Sequence, residues 1–404
     1  VGAFTEVFDQ AVARGLDGAA RPAILLSGGL DSGAVAVTAA RQLALRGGTL
    51  RAFTAVPAFD PEPYLPSTRC GDEREAAAAI AANASNIEHR CLDTGPVTPL
   101  EGMREALGLL RHPIYGAANA DWILGLLRAA REAQADRLLT GQCGNATISW
   151  SGSRVRAVRE LFRRGDLGGL VAEWRGFAET RETSALQTFK RVVLAALVPW
   201  EWLQQLRMGR YSEELLVHRS ALREDVGREL RLRERTREAL RVAANPHHER
   251  HRDAILQSGV YSPNAFNARL ANAFGLTLED PTSDWRVIEF CYGLPETAYA
   301  ARGQQRLLLR RAMAGKLPRD VLWAKRVGLQ SADLVPRVRT SRAEIEAALQ
   351  AAEGSERAQS MLDLPRMRRV FEVALSEEGS EVRLKTASVL LRGLMTAEFL
   401  RQFD

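Results

Sequence analysis

The chain has 404 residues, of which 46% are hydrophobic and 26% charged, and a formal net charge of +6; that length can fill one large domain or two ordinary ones. No apolar run approaches the roughly 18 residues that a membrane-spanning helix needs. No basic-then-apolar opening with a small-residue cleavage site marks a secretory signal. The four cysteines, Cys70, Cys91, Cys143 and Cys291, are scattered without a CxxC pair, which excludes a zinc knuckle or disulfide framework and fits a reducing cytoplasm.

In chain order, residues 24–26 read as a short buried strand that ends in Ser-Gly-Gly, the pattern of a parallel strand covered on both faces. Val35, Ala39 and Leu43, with Ala36 and Ala40 beside them, predict a helix over 33–45 that Gly47-Gly48 stops. A strand follows over 50–56, closed by Pro57. Asp72-Glu73-Arg74-Glu75 then opens an alanine-rich helix to about Asn83, with acids in the first turn where the helix dipole favours them. A third strand over 87–92, helices near 100–110 and 118–133, and a fourth strand over 137–140 complete a βαβαβ succession. That succession implies an α/β fold, a parallel sheet with helices on both faces and right-handed crossovers. Sites in such sheets lie at the carboxyl ends of the strands, so the loops at 27–32 and 141–145 should face one crevice.

The expected organisation is a core over 1–152, an Arg-rich helical insertion over 153–262, the rest of the active-site domain over 263–335, and a helical region over 336–404. Asn245-Pro246 is the clearest breaker in the insertion, and Gly354 and Gly379 mark turns near the end. Residues 151–260 carry 21 Lys and Arg against 15 Asp and Glu, an excess equal to that of the whole chain. A basic segment can meet nucleic acid, a phosphate-rich ligand or an acidic peptide. Because Arg and Glu are interspersed there, a solvated helical face is the stronger reading.

The chemistry concentrates in Ser27-Gly28-Gly29-Leu30-Asp31-Ser32. Glycines without a Cβ let backbone amides approach an anion, and the helix that follows points its positive end at the same spot. Ser27 and Ser32 add hydroxyl donors, and Asp31 can hold the magnesium that accompanies phosphates. The loop lacks the lysine and spacing of G-x-x-x-x-G-K-[ST].

With its preceding strand, residues 24–32 read ILLSGGLDS, which resembles the pyrophosphate loop of N-type ATP pyrophosphatases, and most closely that of the asparagine synthetase, β-lactam synthetase and lasso-peptide macrolactam cyclase superfamily. The resemblance continues in Gly141-Gln142-Cys143-Gly144-Asn145, where the family carries a second ATP loop. It continues again in Pro281-Thr282-Ser283-Asp284, similar to a P-x-x-D segment, and in Leu317-Pro318, Trp323-Ala324-Lys325 and Gly328, similar to the segment with the catalytic lysine. These motifs cover roughly 1–150 and 265–335. The resemblance implies an adenine nucleotide α-hydrolase-like fold and an enzyme that uses ATP and Mg2+ to adenylate a carboxylate, release pyrophosphate and join the carboxylate to an amine.

Carried over by position, Ser27, Gly28, Gly29, Leu30, Asp31, Ser32, Gly141 and Gln142 would bind nucleotide, and Asp31 and Asn145 would hold the metal. Lys325 would stabilise charge at the α-phosphate and the reacting carbonyl. Asp284 would orient Lys325 or the amine, or else cap a helix at Trp285. The second loop departs from asparagine synthetase, which has acids where this chain has Gln142, Asn145 and Ala146. An amide oxygen without charge is a weaker ligand for a hard cation, and Gln142 cannot act as a base. The strings GQCGNATISWSG (141–152) and GLQSAD (328–333) resemble lasso-peptide cyclases. That branch implies a peptide substrate, with leader-binding and protease partners. Asparagine synthetase, an RNA-modifying pyrophosphatase and an inactive nucleotide-binding module remain the alternatives. Asp284, Lys325 and the absence of paired cysteines weigh against a nucleic-acid substrate.

Glutamine-dependent relatives carry an N-terminal amidohydrolase domain; the 26 residues given before the loop do not include one, and a longer gene product could carry it. His247, His248 and His251 lack H-E-x-x-H spacing and read as a solvated helix start. Cys143 reads as loop packing, and Trp200 and Trp202 as core.

Overall fold

The computed structural model describes residues 1–93, 98–152, 154–180, 220–235, 263–376 and 380–404. Asn245-Pro246, the three histidines at 247–251, Trp200, Trp202 and Gly379 lie outside these residues.

A five-stranded parallel sheet organises the chain. Its strands are β1 (Pro22–Leu25), β2 (Leu50–Val56), β4 (Ile87–Asp93), β5 (Arg137–Leu139) and β6 (Thr277–Glu279), in the spatial order β4-β2-β1-β5-β6. β1 is central, with Ala23 opposite Arg51 on one side and Leu138 on the other. Successive side chains of a strand face opposite sides of the sheet, and the two cores follow that alternation. Ala23 and Leu138 enter one cluster with Met103, Leu124 and Leu394. Ile24 and Leu139 enter the other with Phe8, Val35 and Leu309. The strand order reverses between β1 and β5, which opens a crevice at their carboxyl ends.

The four strands and four helices read from the core sequence are present, with small shifts at their ends. The helix α2 (Leu30–Ala44) begins three residues before the apolar period suggests. Leu30, Asp31 and Ser32 therefore form its first turn. Helix α3 (Arg74–Ala82) starts after Glu73, which serves as its N-cap position. Helix α4 (Pro99–Leu110) carries a capping box between Thr98 and Glu101, with Pro99 at the start, and helix α5 (Ala120–Glu132) packs beside it.

Three features were not anticipated. Helix α1 (Gly2–Gly15) buries Phe4, Phe8, Ala11, Val12 and Gly15 at helical spacing. The fifth strand, β6, enters the sheet from beyond the Arg-rich insertion and pairs Leu278 with Leu138. A two-residue strand β3 (Arg69–Cys70) pairs in parallel with β7 (Val327–Gly328). The last 70 residues are helical where described, and Gly354 ends the helix Arg342–Glu353. No helix among the described residues is long and apolar enough to cross a membrane.

Candidate functional site

β1 feeds directly into the glycine-rich loop. The Leu26 amide donates to the Phe53 carbonyl at 2.9 Å and the Thr54 hydroxyl donates to the Leu26 carbonyl at 2.7 Å, so the loop leaves the sheet from a fixed point. The Ser32 hydroxyl accepts from the Ser27 amide at 3.1 Å, the two hydroxyls lie 2.9 Å apart, and Ser27 Oγ accepts from the Gly29 amide at 3.1 Å. Gly29 is the N-cap of α2 and has no side chain to cap the first-turn amides, which is the arrangement that binds anions. Gly28 is required by close approach: a Cβ there would lie 2.6 Å from the Ala76 Cβ.

The second loop closes over this turn. A Cβ on Gly141 would lie 2.8 Å from the Ser32 amide nitrogen, and one on Gly144 would lie 2.3 Å from the Asp31 carboxyl carbon. Gly144 thus exists to let the loop rest on Asp31. Burial, and then the charge of Asp280, push the Asp31 carboxyl up to about 6 against the pull of the Ser149 hydroxyl and the Arg306 guanidinium. Its Oδ1 is enclosed and has no hydrogen-bond partner. Asp280 ties the loop down, with Oδ2 accepting from the Cys143 amide at 2.8 Å and Oδ1 accepting from the Thr282 amide at 3.0 Å. Gln142 is half-buried, with its Oε1 enclosed and unpaired, and Asn145 is exposed on the turn Gly144–Ala146. Cys143 is buried, and its thiol is pushed up to about 12 by burial and by the charges of Asp280 and Asp31. An unionised thiol of that kind is no nucleophile.

Asp284 begins the helix Trp285–Tyr292, where Oδ1 accepts from the Arg286 amide at 2.9 Å. Its Oδ2 pairs with Arg14 Nε at 2.9 Å and Nη2 at 2.8 Å. Of the two roles open to Asp284 in the sequence, this geometry realises the cap. Lys325 is exposed, between the short helix Arg319–Leu322 and β7, and makes no hydrogen bond or ion pair among the described residues. It is not brought against Asp284 by any direct contact. The next residue, Arg326, anchors the segment by donating to the Arg69 carbonyl at 2.7 Å and pairing with Glu62 at 2.6 Å. The β3–β7 pairing then fixes the lysine strand beside the loop after β2.

A glycine-rich turn at the carboxyl end of β1, with a separately anchored lysine segment, agrees with the family comparison. The model for asparagine synthase matches residues 3–401. The chain belongs to the asparagine synthase family. The match runs through 153–262 and 336–401, beyond the two stretches whose motifs carry the resemblance. No curated protein matches the chain. Asparagine synthase family members are ATP-dependent ligases that form carbon–nitrogen bonds, and this chain is an ATP-dependent, amide-bond-forming synthetase with ATP as its substrate.

For an asparagine synthase family site, the donor set at Asp31 fits a hard cation: an enclosed carboxylate oxygen with no partner is the type of ligand magnesium takes together with phosphate oxygens and water. Among the described residues no group of three or more His, Cys, Asp or Glu is placed to hold a metal, so the protein's own contribution would centre on Asp31. Two residues at the site escaped the sequence reading. Arg306 stands in the left-handed conformation (φ 59°) just before the helix Leu307–Ala312, close enough for its charge to act on Asp31. Glu73, visible only as an acid in a helix start, lies between Gly28 and Gly328. Arg306 belongs to no motif, and Glu73 meets Gly328 through a contact between residues more than 250 apart in the chain. A non-glycine residue in a left-handed conformation is costly, yet nothing in a one-letter string marks it.

Proposed function

We propose that the chain is a macrolactam-forming cyclase of the lasso-peptide type, which adenylates an Asp or Glu side chain of a precursor peptide and then joins it to that peptide's own N-terminal amine. The observation that carries this reading is the second loop. Where Gly144 rests on Asp31, the flanking positions offer Gln142, Asn145 and Ala146, so this loop lacks the acids that asparagine synthetase carries there. An amine that arrives as part of the same peptide is delivered by tethering instead, and such proximity can be worth about 7–11 kcal/mol of the barrier.

In this reading Ser27, Gly28, Gly29, Leu30 and Ser32 cradle the departing pyrophosphate through the first-turn amides of α2, with Gly141 and Gln142 completing the nucleotide pocket. Arg306 adds positive charge beside it. Asp31, with Asn145, would hold magnesium, which would neutralise phosphate charge when bound. Lys325 reaches the α-phosphate and the carbonyl in both half-reactions. That it makes no hydrogen bond or ion pair among the described residues suits a side chain reserved for the substrate. Residues 153–262 are assigned to grasping the peptide, and leader-binding and protease partners would deliver it.

The test is ATP turnover resolved into AMP plus pyrophosphate or ADP plus phosphate, with a precursor-like peptide containing an internal Asp, aspartate plus ammonium, or bulk tRNA. AMP with the peptide, and a peptide lighter by one water, establishes the cyclase. AMP only with aspartate and ammonium makes the chain an asparagine synthetase.

A further inference from the structure

Amide formation requires a base, because a substrate amine arrives largely as an ammonium ion and only its neutral form attacks an acyl-adenylate. The carboxylates around the crevice are mostly committed. Asp31 lies under Gly144, Asp280 holds the Cys143 and Thr282 amides, Asp284 holds Arg14 and the Arg286 amide, and Glu279 pairs with Arg137 at 3.1 Å. Glu296 accepts from Trp150 Nε1 at 3.3 Å.

Glu73 differs. It makes no side-chain hydrogen bond or ion pair among the described residues, and it spans the two halves of the site. A Cβ on Gly28 would lie 3.1 Å from the Glu73 Cβ, while one on Gly328 would lie 2.5 Å from its carboxyl carbon and from Oε1. Glycine at both positions makes the room for this side chain, whose stem rests on the pyrophosphate loop and whose carboxylate lies against Gly328 of β7, three residues beyond Lys325. Burial, and secondarily the charge of Asp72, raise its proton affinity. Cys70 is the other titratable group close enough to sense it, and the nearby cation, Arg326, is turned to Glu62 and the Arg69 carbonyl.

We propose that Glu73 is the catalytic base for the incoming amine: its carboxylate holds the substrate ammonium at the seam between the pyrophosphate loop and the Lys325 strand and takes one proton from it. The freed nitrogen lone pair forms the new bond to the acyl carbon. The bond from that carbon to the phosphate oxygen breaks, AMP leaves with the electron pair, and the amide nitrogen releases its second proton to water. A carboxylate with raised proton affinity that makes no hydrogen bond or ion pair among the described residues and lies between Gly28 and Gly328 is suited to this step. The proposal rests on the ligase reading and adds the residue that activates the nucleophile.

Glu73→Gln keeps the shape and removes the base. With the internal-Asp peptide, ATP–pyrophosphate exchange reports adenylation alone, while peptide cyclisation reports both steps. The variant is expected to keep exchange within about threefold of wild type and to lose cyclisation by about 100-fold or more, the usual span for a general base. Hydroxylamine, which is unprotonated at neutral pH, should still trap the acyl-adenylate as a hydroxamate at near wild-type rate. Cyclisation by the Gln variant should instead climb with pH across the range in which the substrate amine loses its own proton, and Glu73→Asp should recover part of the rate. Undiminished cyclisation overturns the proposal, and so does loss of exchange and hydroxamate together with cyclisation in a variant that melts like wild type. If wild type exchanges with aspartate and not with the peptide, the macrolactam reading falls, and the same comparison with ammonium as amine decides Glu73.

Discussion

Replacing Asp31 by Asn should stabilise the ligand-free protein while abolishing its chemistry. The Asp31 carboxyl sits at about 6 in the folded chain against 3.8 for an ordinary Asp. Folding therefore favours the protonated form, and the ionised form is held at a cost. Every tenfold gain in proton affinity on folding corresponds to about 1.4 kcal/mol. The folded state binds the proton more tightly, so what Asp31 contributes to stability is greatest below pH 3.8 and is lost as the pH rises through about 6. Asn imitates the protonated form at every pH. Its advantage should be about 3 kcal/mol at pH 7.5 and about half that at pH 5 by the same linkage. Urea unfolding of nucleotide-free protein in EDTA measures both values. Adding ATP and magnesium at a hundredfold excess over their dissociation constant should then stabilise wild type by about 2.7 kcal/mol and leave the variant unmoved, with no pyrophosphate exchange. A variant no more stable than wild type at pH 7.5, or an advantage that does not shrink toward pH 5, would refute the account of Asp31 as an ion buried for its ligand.

Gly144→Ala should fold but displace the Asp31 carboxylate, since the new methyl would lie 2.3–2.6 Å from its atoms; ATP turnover should fall by at least tenfold, and unchanged turnover would mean that the second loop does not close on Asp31. Lys325→Ala should still bind ATP by calorimetry but lose about 100- to 1,000-fold in product formation, the loss typical of removing one charge-stabilising donor. Asp284→Asn should retain ATP–pyrophosphate exchange and lose no more than about 1 kcal/mol, because the partly exposed Arg14 pair is screened and Asn preserves the cap; exchange lost at unchanged stability would return Asp284 to the chemistry. Iodoacetamide at pH 9 on the native protein should label exposed Cys91 and spare the buried Cys143 and Cys291, as read by peptide mass.

The sheet was legible because a buried parallel strand has an apolar run and a turn signal, which 24–26 and 50–56 have, while 87–92 and 137–140 fall into place by their alternation with helices; 87–92 is the half-exposed edge strand and has only Ile87, Cys91 and Leu92 as apolar residues. β6 was not legible, because three residues carry no period, and Leu278 identifies itself only by pairing with Leu138. The glycine-rich loop could be read at sight, yet the helix start at Leu30 could not. Asp31 had to be in a helical first turn for Gly141 and Gly144 to reach it, and that is a property of two loops together. Asp284 shows the same limit in reverse. A P-x-x-D string can cap a helix or orient a catalytic group, and the sequence does not show that Arg14, 270 residues earlier, pairs with it.

The site is consistently assembled by glycines that admit a neighbour from elsewhere in the chain: Gly28 and Gly328 admit Glu73, and Gly141 and Gly144 admit the turn at Asp31 and Ser32. A contact made by backbone against backbone or carboxylate tolerates no added methyl, so it fixes distance more sharply than a flexible side-chain pair. That rigidity suits a reaction in which one site must stabilise a phosphate leaving in the first step and an amine attacking in the second. The charged groups Lys325 and Arg306 stand on separately anchored segments, the first held by Arg326 and the β3–β7 pairing, the second by the helix Leu307–Ala312. In the proposed reading the loops define where ATP lies, and the late segments of the chain bring the charge that acts on it. Any substitution that frees 325–328 from β3 should therefore spare nucleotide binding and damage both chemical steps, because the binding turn is complete by residue 144 and the charge is not.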